Sequence, residues 1–327
     1  MFRTLMAAAC LAALPLAAAA QAAPADAYPT RPVRLVVPYP AGGATDSVAR
    51  LLGERLSRRW GQPVVVDNKP GAAGALGATD AARAAPDGHT LMMTITDTQI
   101  NNVALFKSLA YDPRRDFVPV TQVVRSPALI SASAGLGVRS MDALRQLAAR
   151  QPGRLSYASW GIGGLGHLAA ETLNREFKAG MVHVPQKGEG PVVNDLLSGT
   201  VSIGLSSVAS ARQHALAGKI VPLAVLGRER SSALPQVPTL HELGFTDPLF
   251  DSNVWLAVLA PARTPPALVQ RLAADIRAVA AQPEVSAQLV ERGFELMNTT
   301  PEQFAAAYAS EFELITQRIQ AFGIEAQ

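Results

Sequence analysis

Residues 33–46 constrain this chain more than any other stretch. The run Val33-Arg34-Leu35-Val36-Val37 has the β-branched content of a strand buried on both faces, and Pro38 and Pro40 end it. Gly42 and Gly43 follow. They accept positive φ and have no Cβ, so backbone N–H groups there can approach a ligand closely. From Ser47 on, Val48, Leu51, Leu52 and Leu56 fall at helical spacing. The N–H groups therefore lie at a helix N-terminus, where free donors and the dipole favour an anion, and Asp46 points into the same place. Two readings are open from this stretch. One is a ligand-binding loop; the other is a βα turn whose glycines serve packing and whose Asp46 complements the helix dipole.

The N-terminus bounds the compartment. Residues 1–23 carry Arg3, an Ala/Leu-rich core through Ala20 and the small-residue pattern Ala20-Gln21-Ala22, which is the form of a cleaved secretory signal peptide. Cys10, the only cysteine, lies inside it. Ala7-Ala8-Ala9 before Cys10 is a poor match to a lipoprotein signal. The mature chain then has no cysteine, which excludes disulfides, thiol catalysis and cysteine-ligated metals. With Arg3 removed, the 29 basic residues fall by one against 26 acidic ones. So slight a balance, without a basic run interleaved with aromatics, argues against a nucleic-acid partner. About 300 mature residues suit two α/β domains.

Further along, residues 63–68 form a second strand leading into the glycine turn Gly71-Ala72-Ala73-Gly74, but no Gly-Lys-Ser/Thr follows to make a nucleotide P-loop. Residues 90–95 are a third strand with the polar segment 96–102 at its carboxyl end, where open α/β sheets bind ligands; Thr96 and Asp97 begin it, and helix capping is the plainer use for such side chains. Residues 155–167 repeat the strand, glycine loop and helix start. Gly161, Gly163 and Gly166 match G-x-G-x-x-G, which admits a dinucleotide-binding oxidoreductase as the alternative function, but residues 181–184 lack the ribose-binding acid. The five histidines are isolated, with no helical metal spacing, and no G-x-S-x-G elbow appears. His167, beside the glycine loop, is placed either to reach a ligand or to make a structural hydrogen bond. Strands at 201–205, ending in Ser206-Ser207, at 221–226 and at 255–259 precede surface helices at 268–281, 284–291 and 302–322. Thr239 is placed to cap a short helix at 241–243.

Pro38-Tyr39-Pro40-Ala41-Gly42-Gly43-Ala44-Thr45-Asp46, Asn68-Lys69-Pro70-Gly71, Pro86-Asp87-Gly88, Tyr111-Asp112-Pro113, Lys187-Gly188, Leu234-Pro235-Gln236-Val237-Pro238-Thr239 and Ala260-Pro261-Ala262-Arg263-Thr264-Pro265 together resemble the ordered motifs of the Bug family. These are substrate-binding receptors of tripartite tricarboxylate transport systems. The resemblance spans essentially the whole mature chain. It implies an α/β fold of type II periplasmic binding-protein form, two lobes of mixed sheet flanked by helices with a ligand cleft between them. Lobe 1 is expected from residues 24–124 plus 250–327, and lobe 2 from 125–249.

The resemblance also implies a receptor rather than an enzyme, with no catalytic residue, cofactor or metal. It would be periplasmic and monomeric, delivering a small organic acid or amide to membrane subunits or a sensor. Tyr39, Ala41, Gly42 and Gly43 would hold a carboxylate, with Asp46 facing the ligand and Thr96 and Asp97 nearby. In lobe 2, Ser159, Gly163, Gly164 and His167 would take the distal end, with Ser206 and Ser207 completing the wall and Lys187 as a candidate cation. The chain departs from the usual pattern at Gly164, where Ser or Thr is common, and at Ser206-Ser207, in place of an Asp-Asn type pair. Gln186 and Val103 replace a Tyr and a Pro. Fewer donors then face the distal end, which leaves dicarboxylate, monocarboxylate, aromatic acid and amide all open.

Overall fold

The structure, a computed structural model, describes residues 28–326. The expected signal peptide, with Cys10, lies outside the described residues. In chain order the first lobe begins with β1 (Val33–Val37), α1 (Ala44–Trp60), β2 (Val64–Asn68), α2 (Ala75–Ala82) and β3 (Thr90–Ile95). A wide helical turn (Asp97–Asn101) and α3 (Asn102–Leu105) follow, then β4 (Phe117–Ser126). Pro127 carries the chain across to β5 (Ala128–Ser133), α4 (Met141–Arg150), β6 (Ser156–Ser159), α5 (Leu165–Phe177), β7 (Val182–Pro185), α6 (Glu189–Ser198), β8 (Ile203–Ser207), α7 (Val208–Leu216) and β9 (Ile220–Val225). It returns through β10 (Val254–Pro261), α8 (Pro266–Ala280), α9 (Pro283–Glu291), β11 (Glu295–Leu296) and α10 (Pro301–Ala321).

Two sheets result. One has the order β11-β4-β10-β3-β1-β2 and the other β7-β6-β8-β5-β9. In each, one side is parallel (β2, β1, β3; β7, β6, β8) and the other antiparallel. This is the two-lobed mixed α/β architecture expected from the sequence. Val33, Val36 and Val37 are fully buried because helices cover both faces of β1, while Arg34 reaches Asp80 at 2.7 Å and Asp67 at 3.2 Å. On one face Val48, Leu51, Leu52 and Leu56 of α1 pack with Val33, Leu35, Leu91 and Met93. Each such side chain contributes about 1.5–3 kcal/mol of burial.

The lobes share one core. Met92 and Trp255 from the first sheet belong to the same apolar cluster as Ile130 and Tyr157 from the second and Phe304, Tyr308 and Phe312 of α10. Arg318 of α10 also bonds both oxygens of Asp247, at 2.8 and 2.6 Å, so the last helix ties the segment entering β10 to its own end. Two local expectations change. Residues 241–243 form a turn closed by Gly244 at φ +86°, and Thr239 Oγ1 accepts the Glu242 N–H as a helix cap would. Helix α7, between the strands at 203–207 and 220–225, is an element the sequence pattern did not reveal.

Candidate ligand site between the lobes

Strands β1 and β3 of one sheet and β6 and β7 of the other lead into the segments 38–43, 96–102, 160–164 and 186–188, and β8 ends in Ser206 and Ser207; topology places all of these at the carboxyl edges of the parallel halves. Those edges meet. Asn101 Nδ2 of the first lobe donates to the Gly163 carbonyl of the second at 2.5 Å. A groove of about 460 Å³ lies alongside, lined by Ala73, Asn102, Leu105 and Phe106 from one lobe and Gly161, Ile162, Pro185, Gln186 and Lys187 from the other.

The loop before α1 presents backbone to solvent. Ala41, Gly42, Gly43 and Ala44 are exposed, Gly42 sits at φ +84°, and the N-cap Gly43 supplies no side-chain hydrogen bond. The first N–H groups of α1 therefore meet neither an intrahelical partner nor a cap, and the dipole adds to their attraction for an anion. Asp46 plays a different part from the one expected. Its Oδ2 accepts the Gly42 N–H at 2.8 Å and Arg50 Nε at 2.9 Å, and Oδ1 accepts Asn68 Nδ2 at 3.0 Å. Asn68 also donates to the Tyr39 carbonyl at 3.1 Å. Burial alone would raise the Asp46 pKa, but these hydrogen bonds outweigh it and hold the carboxyl below its ordinary value. Asp46 thus braces the loop from inside the lobe rather than presenting a free carboxylate to a ligand. The Tyr39 hydroxyl bonds Thr98. Gly74, at φ +89°, lies against both; a Cβ there would come within 2.6 Å of Thr98 Oγ1.

Thr96 is also structural, its hydroxyl accepting the Trp255 N–H at 3.2 Å. Asp97 differs: its Oδ1 is buried without a hydrogen-bond partner among the described residues. Burial, supplemented by the charge of Glu189 and opposed by the Trp160 indole, pushes the Asp97 carboxyl up to about 6. Gln99, fully buried, has neither amide atom partnered among the described residues.

In lobe 2 most of the expected ligand groups are engaged. Ser159 Oγ donates to the Gly161 carbonyl at 3.0 Å and lies 2.8 Å from His183 Nε2. The Gly163 N–H donates to His167 Nδ1 at 2.9 Å, so this histidine makes the structural hydrogen bond. The two imidazoles stack at 3.9 Å with Tyr157 beyond them, and burial lowers both their pKa values, that of His183 to about 4. Gly164 is the N-cap of α5, without a side-chain hydrogen bond of its own. Two of the three fingerprint glycines serve packing: a Cβ on Gly166 would lie 2.5 Å from the Trp160 ring, and one on Gly163 would overlap Leu105 of the other lobe, whereas Gly161 faces open space.

At the end of β8, Ser206 Oγ is buried and without a partner among the described residues. Ser207 is not free. Its N–H and hydroxyl donate to Glu189 at 2.9 and 2.7 Å, and Ser210 Oγ donates to the same carboxylate. The candidate residues thus cluster at the facing edges, but the buried polar atoms left unpaired there among the described residues belong to Asp97, Gln99, Asn101 and Ser206. Glu189 and Gln99 were not singled out from sequence. Their roles depend on contacts between distant segments, and no local pattern signals them.

Two lobes crossed by separate chain segments, with an exposed helix N-terminus at the junction, define a solute receptor of periplasmic binding-protein type. Residues 48–324 match the family model described as the tripartite tricarboxylate transporter family receptor, and the chain belongs to that family. It is 35% identical to the protein BugT of Bordetella pertussis over 301 residues, covering 91% of this chain and 92% of BugT. Among solved structures, Rpa4515 of R. palustris with adipate superposes with a TM-score of 0.82 at 32% identity, covering 92% of this chain and all of that one. MatC of Rhodopseudomonas palustris with bound malate gives 0.76 at 32% identity, covering 89% of this chain and 100% of its own. No described helix is long and apolar enough to cross a membrane.

Proposed function

We propose that this protein captures a small organic acid between its lobes, holding one carboxylate on the free N–H groups at the start of α1, and passes it to membrane subunits of a tripartite tricarboxylate-type transporter. The observation that carries this reading is the uncapped, solvent-facing N-terminus of α1, fastened from beneath by Asp46. Charge-assisted hydrogen bonds from such amides contribute about 1.5–3 kcal/mol each. Three or four of them, offset by ordering and lobe closure, cover the roughly 8 kcal/mol of micromolar affinity. The adipate and malate held by the two relatives support a carboxylate ligand here. Binding alone is sufficient for this role, and no chemical step is assigned. The working form is a periplasmic monomer, released by cleavage of the leader. The dinucleotide alternative loses support because Gly163 and Gly166 pack on Leu105 and Trp160 where a pyrophosphate would need open backbone.

A thermal-shift screen with mono-, di- and tricarboxylates, aromatic acids, amino acids and nicotinamide cofactors tests the reading. A ligand at a hundredfold excess over Kd adds about 2.7 kcal/mol, a shift of several degrees. A shift with an acid supports the receptor; a shift with a nicotinamide cofactor alone would replace it.

A further inference from the structure

Two helix N-termini at the facing edges differ in what fills them. That of α1 is exposed and uncapped. That of α7 is filled from within: Glu189 accepts the Ser207 N–H at 2.9 Å, the Ser207 hydroxyl at 2.7 Å and the Ser210 hydroxyl, while Ser207 Oγ accepts the Ser210 N–H at 3.2 Å. A carboxylate of the protein therefore occupies the α7 terminus, where backbone and hydroxyl donors converge on an anion, whereas the α5 terminus of the same lobe has no side-chain cap.

Glu189 lies next to the interlobe groove. It follows the groove residues Gln186 and Lys187, and that segment is pinned to the glycine loop by the Gln186 and Gly188 N–H groups, which donate to the Ser159 and Trp160 carbonyls at 2.9 and 3.2 Å. Across the junction stands Asp97 of lobe 1, with Oδ1 buried and unpartnered among the described residues. Beside Ser207, the Ser206 hydroxyl is fully buried and likewise unpartnered. The facing edges thus hold two carboxyl groups on opposite lobes, with the Ser207 and Ser210 donors at the start of α7 already engaged.

We infer that Glu189 sets the specificity of this receptor: by filling the α7 terminus it excludes a second carboxylate and selects a monocarboxylate whose far end carries a hydrogen-bond donor such as an ammonium, amide or hydroxyl. The inference rests on the carboxylate reading proposed above. A ligand carboxylate at the α7 terminus would meet the charge of Glu189 and find the donors there taken, whereas a donor would find acceptors at Asp97 and Glu189.

The test is calorimetric titration of the protein with length-matched sets: butanoate, 4-aminobutanoate and succinate; hexanoate, 6-aminohexanoate and adipate; octanoate, 8-aminooctanoate and suberate. In the set of fitting length, the amino acid is expected to bind at least tenfold more tightly than the diacid. Glu189→Gln, which keeps an acceptor for the serines and removes the charge, is expected to shrink that ratio at least tenfold. A diacid that binds the unaltered protein as tightly as the amino acid overturns the inference while leaving the receptor reading intact, as does a ratio unchanged in Glu189→Gln. Absence of binding by every acid overturns both. If Glu189→Gln does not fold, the ratio measured on the unaltered protein decides.

Discussion

The carboxylate of Asp46 accepts the amide N–H of Gly42 at 2.8 Å, four residues back along the chain. It ties the loop to the first turn of α1, whose own N–H groups have no intrahelical acceptor and no side-chain cap. Asp46 is 3% exposed, and removing it takes an acceptor from the Gly42 N–H, Arg50 and Asn68 together. Asp46→Ala is expected to cost about 1–3 kcal/mol in urea denaturation and to weaken acid binding at least tenfold as the loop loosens, with Asp46→Asn milder in both. Unchanged affinity in Asp46→Ala would show that the brace does not serve the site. The sign of its pH dependence follows. The folded pKa lies below the ordinary value of 3.8, so this stabilisation is present above that value and is lost as pH falls through the folded pKa.

Gly163 sits at φ +70° with its missing side chain directed at Leu105 of the opposite lobe. Gly163→Ala is expected to destabilise by about 1–3 kcal/mol through backbone strain and overlap, and to raise Kd by holding the lobes apart. Leu105→Ala in the same chain should restore part of the affinity, since it removes the overlap. Titration of the single and double variants checks this; equal affinity in both would remove the steric account.

The stacked histidines make acid destabilising. Their folded pKa values lie below the ordinary 6.5, that of His183 near 4, so the unfolded chain takes up protons first on acidification. Their contribution is full above pH 6.5 and declines as pH falls towards 4. Urea midpoints are expected to drop between pH 7 and pH 4.5, and His183→Gln should flatten that segment. A midpoint profile identical in the variant would exclude His183 as the source.

Arg318 and Asp247 couple the last helix to the segment between β9 and β10. Both are partly shielded, at 28% and 20% side-chain exposure, so a double-mutant cycle with Arg318→Ala and Asp247→Asn is expected to return a coupling of about 1 kcal/mol. Strict additivity would mean that the pair does not stabilise the fold.

Much of the scaffold was legible because its signals are local. The strand at 33–37, the glycine turn and the start of α1 follow from β-branched content, Gly42 and the helical spacing of Val48, Leu51, Leu52 and Leu56. The missed elements have weak local signals. Helix α7 buries only Val208 and Ala211, too little apolar periodicity to distinguish it from a loop. Roles within the site were less legible, because they are decided by partners far away in the chain. Asp46 could be placed at the helix start, but its partner Asn68 stands 22 residues on. Ser207 reads as a strand end facing a ligand until Glu189, 18 residues earlier, is found beside it. The Gly161-x-Gly163-x-x-Gly166 spacing fits a nucleotide loop and a tightly packed one equally well, and only Trp160 and Leu105 distinguish them.

Amide hydrogen exchange across residues 39–47, measured with and without the tightest-binding acid from the thermal screen, tests the central claim most directly. A carboxylate on the α1 N-terminus is expected to slow exchange at Gly43, Ala44 and Thr45 at least tenfold, with a smaller effect at Gly42, whose N–H is already bonded to Asp46. Exchange unchanged in this segment, while another part of the chain becomes protected, would contradict it.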